Sequence, residues 1–288
     1  MRRLLKAFLF KIKRDITLKI TLIVGAGIAV LMTLIYLGLD VALEMGNGGS
    51  RFLTGPSMLL NSLSPVQNFG IAIPVNLISF ICLEFSQGTI RNKIIAGHSK
   101  FKIYTSLMIS GLIFAFILLG VYLLLCTGLG TIFGGFDLNK EIFLGITAAK
   151  IDGLYLFQML VVCFFTYVSI VSFTIFISTL FRQIGPSIPV VMVILMILYL
   201  SASIVGTIVS SSADIMEGME DLEAFGEFLK VTNPLYVISG GGAKYTFKDV
   251  TTIKLETSAF IFAICNNIVY AIAFFVGGAI LFKKRDVK

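Results

Sequence analysis

Of the 288 residues, 57% are hydrophobic and only 14% charged, and the mean hydropathy is +0.97. Soluble domains run at roughly 45–50% apolar and about 25% charged, so this composition excludes a soluble globular fold. The net charge of +7 is not gathered into aromatic-interleaved basic patches, which excludes nucleic acid as a partner.

The chain opens MRRLLKAFLFKIKRDITLK, with Leu5, Phe8, Leu9, Ile12 and Ile16 at helical spacing and Arg2, Lys6 and Lys13 largely elsewhere on the wheel. Residues 1–18 therefore read as an amphipathic helix lying in an anionic membrane interface. Charges at Arg14, Asp15 and Lys19 after the first apolar residues, and the long run that follows, separate it from a signal peptide.

Six apolar runs then have spanning length, since a bilayer core about 30 Å thick needs about 20 helical residues. They cover 20–39, 62–83, 103–128, 154–181, 186–210 and 258–282, and nothing alternates as a β-barrel strand would. None of the six holds an Asp, Glu, Lys or Arg, which disfavours an ion-coupled carrier. Among the neutral amides in and beside these runs, Asn61, Gln67, Asn68, Asn76, Asn266 and Asn267 serve either as interhelical hydrogen-bond partners or as a candidate substrate path. Pro65 and Pro74 in span two, and Pro186 and Pro189 in span five, mark those two as a mobile, path-lining pair or as static kinks. Cys82, Cys126, Cys163 and Cys265 fall inside the runs and act there as small hydrophobes. With a single histidine, no metal site is expected.

Between spans five and six, residues 211–257 form a long segment expected outside the membrane. Met216, Met219, Leu222, Phe225, Phe228 and Leu229 recur at roughly helical spacing opposite Glu217, Glu220, Asp221, Glu223 and Glu227. One or two short helices are expected there, ending at Asn233-Pro234 and dipping toward the bilayer or capping it. GGGAKYT at 240–246 lacks the order of a phosphate-binding loop, and no hydrolase motif occurs, so the chain is not expected to be an enzyme.

Orientation follows from the positive-inside rule. Placing both termini in the cytoplasm puts 16 of the 23 basic residues and only three of the 16 acids, Asp15, Glu84 and Asp286, on the inner side. Basic charge is thus a topology signal.

The inner loop after span two reads EFSQGTIRNKIIAGHSK. It alternates Arg91, Asn92 and Lys93 with Ile90, Ile94 and Ile95 between Gly88 and Gly97. An acid followed by Gly-Thr, a hydrophobe, Arg-Asn and then Gly-x-Ser-Lys resembles the cytoplasmic loop of ABC-2 type permeases, and the closing LFKKRD is similar to their C-terminal pattern. The resemblance implies one transmembrane domain over 1–288, all-α with six spans, in the plasma membrane. Glu84, Gly88, Thr89, Ile90, Arg91, Asn92, Lys93, Ile94 and Gly97 would belong to a coupling helix, 84–97, docking on a separate ATP-binding subunit. A second copy or a related permease would complete a dimer. This chain would bind no cofactor; ATP and Mg would sit on the partner. The implied function is export of an amphipathic or hydrophobic peptide, drug or lipid-like molecule. A non-transporting sensor or immunity subunit, or an ion-coupled secondary transporter, is the alternative. Independently of any family, Gly97 reads as a helix stop, and Glu84 as a tie to the N-terminal helix.

Overall fold

The computed structural model describes residues 2–14, 16–44, 52–65, 70–138, 142–144, 147–211, 220–239, 241, 243–246 and 252–284. Gln67, Asn68, Met216, Glu217, Met219 and the tail from Arg285 lie outside the described residues.

Helix α1 (Arg2–Arg14) is strongly amphipathic and precedes α2 (Ile16–Glu44). Phe8 and Ile12 are buried at 1% and 3% exposure, as their spacing requires, whereas Ile16 begins α2 and is exposed. The other long helices are α6 (Lys100–Gly134), α7 (Gly153–Phe181), α8 (Ile184–Ser211) and α10 (Thr257–Lys284). These four and α2 are long and apolar enough to cross a bilayer. Helices α4 (Ala72–Ser86) and α5 (Thr89–Ile95) form a further candidate together, bent by 56°. The protein is a multi-pass helical membrane protein.

The expected run 62–83 is not one helix. A short α3 (Gly55–Leu63) precedes α4, and the chain breaks between them around Pro65, while Pro74 falls in the first turn of α4, where a missing N–H is harmless. Helix α3 starts at a capping box, Thr54 and Ser57 each accepting from the other's backbone N–H, with Pro56 in the first turn. The carboxylate of Asp40, near the end of α2, accepts the N–H groups of Phe52 and Leu53 just before it. Helix α3 packs on α6 where Gly130 and Gly134 open a groove. A Cβ at Gly134 would sit 1.5 Å from the Leu53 carbonyl oxygen, and one at Gly130 would strike Met58. This is the small-xxx-small device that lets membrane backbones approach. By contrast α8 runs unbroken through Pro189.

Four short strands, not anticipated from the sequence, pair beyond the helix ends: β1 (Ile142–Leu144), β2 (Thr147–Ile151), β3 (Ala243–Thr246) and β4 (Thr252–Leu255), in order β1-β2-β4-β3. The parallel β2–β4 pairing, Lys150 opposite Thr252 and Ile151 opposite Ile253, ties the 135–152 connection to the 240–256 one. Helix α9 (Glu220–Thr232) supplies the single described helix of the 211–257 segment, and it ends before Asn233 as the sequence pattern requires. The chain does not then stay at the surface. Leu235, Tyr236, Val237 and Ile238 are each only 2–3% exposed, packed as a turn into the bundle.

The bundle is thus polar in the electrical sense. Lys11, Lys93, Lys100, Arg182 and Lys283 gather with Glu84 at one end, called here the basic end; Asp40, Glu227 and Glu256 lie at the other, acidic end, where Lys230 pairs with the two glutamates.

Candidate functional site

At the basic end, the chain turns sharply between α4 and α5. Gly88 takes a left-handed conformation, φ +67°, that most side chains avoid, and this lets α5 leave α4 at 56°. Gly97, at φ +86°, closes α5: its N–H bonds the Ile94 carbonyl at 3.0 Å and the His98 N–H bonds the Lys93 carbonyl at 3.2 Å, the paired bonds of a Schellman stop. Two residues later Ser99 caps α6 by accepting from the Lys102 N–H at 3.4 Å. Gly-x-Ser is therefore one helix's stop followed by the next helix's start. The capping role of Ser99 was readable from a serine before a long apolar run and was missed.

Glu84 organises the elbow. It is 2% exposed, and its carboxylate takes the Lys11 ammonium on Oε1 at 2.5 Å and the Lys93 ammonium on Oε2 at 2.6 Å. The Thr89 hydroxyl stands 2.6 Å from Oε2 and 2.9 Å from the Glu84 carbonyl oxygen. Lys93 lies 3.7 Å from the centre of the Phe8 ring and Lys11 4.7 Å from that of Phe80, so each cation meets an aromatic face as well as the anion. One carboxylate thus joins α1, the end of α4 and α5. The tie to α1 anticipated from sequence is present, with Lys11 as the α1 residue that makes it.

The same cluster redistributes the roles expected of α5. Ile90 is fully buried in the protein's own core and Lys93 is engaged by Glu84, so neither is presented outward for a partner. Ile94 is half-buried against the core. Arg91, Asn92 and Ile95, the last at 73% exposure, make up the outward face. Seven residues are barely two turns, too short a piece for the spacing of its three isoleucines to tell which one faces inward. Beside the elbow, the Arg182 guanidinium lies over the Phe85 ring, which meets Phe282 edge-on; Phe282 in turn packs on Tyr104. The α7–α8 turn and α10 therefore touch the end of α4, and α6 backs them through Tyr104.

The amides expected along one path are held by separate neighbours. Asn76 donates to the Ala72 carbonyl and accepts from Thr21 of α2. Asn61 borders a small recess with Tyr36, Met58 and Tyr122. Asn266 donates to the Val231 carbonyl, and Asn267 to those of Pro234 and Ala263. The last two fasten α10 to the final turn of α9 and to the chain leaving it. Among the described residues there is no group of three His, Cys, Asp or Glu side chains able to hold a metal ion.

No family model matches this chain, and comparison with curated proteins returns no match.

Proposed function

We propose that the protein is the permease subunit of an ABC-2 type exporter in the plasma membrane. In this reading both termini are cytoplasmic, and transport of an amphipathic or hydrophobic substrate is driven by a separate subunit that binds ATP and Mg. The carrying observation is the elbow. A short helix set at 56° to its membrane helix, stopped by a left-handed glycine at each end and fixed from behind by Glu84, presents Arg91, Asn92 and Ile95 outward on a rigid mount. That is the geometry a docking helix needs: an arginine and an amide for charge-assisted hydrogen bonds, and one apolar anchor, with little conformational freedom left to lose on binding. The 84–100 motif supports the same reading. A second permease copy would complete the assembly.

The test is co-purification of this chain with a candidate ABC ATP-binding subunit expressed together with it, followed by reconstitution. Arg91→Glu reverses the charge of an exposed residue, leaves the fold intact, and is expected to release the ATPase or to cut substrate-stimulated hydrolysis at least tenfold. Retained complex and full stimulation would overturn the docking role. A complex that assembles yet shows no substrate-stimulated hydrolysis would favour the sensor alternative.

A further inference from the structure

Helices α8 and α10 both pack on α7, yet make no extensive contact with each other among the described residues. Between them lies a cavity of about 200 Å³, walled from 169–173 of α7, 194–198 of α8 and 267–274 of α10. These are the middle stretches of three helices long enough to cross a bilayer, so the cavity stands at the depth of the hydrocarbon core. Pro234 and Leu235 of the buried turn close one end. At the other, the Phe274 ring packs against those of Phe173 and Phe176, with centroids 5.0 and 5.7 Å away. The remaining way in is sideways from the bilayer, past Ile194, which is 37% exposed on α8.

The amide and phenol on this wall are already engaged. Asn267 donates to the Pro234 and Ala263 carbonyls at 3.0 and 2.9 Å, and its Oδ1 has no open surface. The Tyr270 hydroxyl donates to the Thr232 carbonyl at 2.7 Å. Ser169 apart, the rest of the wall is hydrocarbon. An ordered water needs two to four polar partners and does not find them here. A dry apolar cavity of about 150 Å³ in a soluble protein takes up benzene, so this one has room for a run of methylene groups. Left empty, its lining would forfeit dispersion contacts, and a flexible apolar chain restores them. At mid-depth in a bilayer, the molecules standing at the opening are the ends of lipid acyl chains.

We infer that this cleft holds the end of one phospholipid acyl chain, which enters from the bilayer between α8 and α10 and lies over Phe173. The chain then serves as a removable piece of the protein's packing, wedged between two helices that share α7 as their support. The inference depends on the membrane-spanning helices and not on the elbow, and it is tested without an ATPase. Its failure leaves the coupling reading untouched, and the reverse holds.

The sequence contains no tryptophan, so a single introduced indole reports on its own surroundings. The experiment compares fluorescence in liposomes of phosphatidylcholine dibrominated near the chain ends with that in the unbrominated lipid. Phe173 is only 8% exposed, and Phe114, at 1%, is buried away from the cavity. Phe173→Trp is expected to be quenched at least twice as strongly as Phe114→Trp. Ser169 is 4% exposed on the cavity floor, so a phenyl group placed there has only the cavity to enter. Adding Ser169→Phe is expected to cut the quenching of Phe173→Trp at least by half. The same addition is expected to leave unchanged that of Val269→Trp, at a position 62% exposed on α10. Should Phe173→Trp fail to fold, Phe274→Trp on the opposite wall takes its place with the same expectations; should Ser169→Phe fail, the comparison with Phe114→Trp still decides. Quenching less than twice that of Phe114→Trp overturns the proposal. So does a drop of less than half on adding Ser169→Phe, because the bromines would then be acting from outside the cleft.

Discussion

Replacing Glu84 with Gln keeps the side chain's shape but removes the charge that Lys11 and Lys93 share. Two ammonium groups are then left near each other beside Phe8 and Phe80. Breaking a buried pair from one side costs about 3–5 kcal/mol; Lys11, 35% exposed, can still reach water, which places the expected loss near the bottom of that range, about 3 kcal/mol. Thermal unfolding in detergent measures it. Adding Lys11→Met to Glu84→Gln is expected to recover part of the loss, since it removes one stranded cation; no recovery would mean that the two lysines do not depend on Glu84. Much of this cluster was legible as residue types. An acid at the edge of an apolar run, opposite a basic amphipathic helix, asks for a partner. Which lysine answers was not, because Lys6, Lys11 and Lys13 differ only by their angle on α1, and that angle is set by where Phe8 and Ile12 bury.

Helix starts and stops follow local chemistry, and here the elements divide into those written in one place and those that are not. Ser99→Ala removes the acceptor that caps α6 and is expected to cost about 1 kcal/mol. Gly134→Ala acts through packing. Its methyl group would overlap the Leu53 carbonyl, a backbone atom that cannot swing aside, so α3 would be lifted off α6 at a cost of about 3 kcal/mol or more. A cysteine pair at Met58 and Cys126, crosslinked in the unaltered background and not in Gly134→Ala, would report that displacement. The long apolar runs were readable because twenty consecutive hydrophobic residues have one physical use. Helix α3 was not, since its start signal, Thr54 through Pro56, stands before the apolar run instead of inside it. The four strands were hidden for another reason: three to five residues carry no periodicity, and β2 finds its partner β4 about a hundred residues away.

Across the whole molecule, separation of charge sets the expected topology. In a background freed of native cysteines, Lys244→Cys in β3 is expected to react with an impermeant maleimide from outside intact cells, and Asn92→Cys on the exposed face of α5 only after permeabilisation. The reverse pattern would invert the orientation on which the proposed function depends. Glu84, finally, makes α1 and α5 one body at the basic end. The far side of α1 carries Phe10, 58% exposed with Arg14 stacked over its ring, a face suited to lipid headgroups. Whatever tilts α5 must then drag α1 through that headgroup layer like a float on a lever. If the elbow moves as the proposed coupling requires, the viscosity and surface charge of the leaflet would act as a damper on that movement, and lipid composition would set its speed as well as how firmly the protein sits.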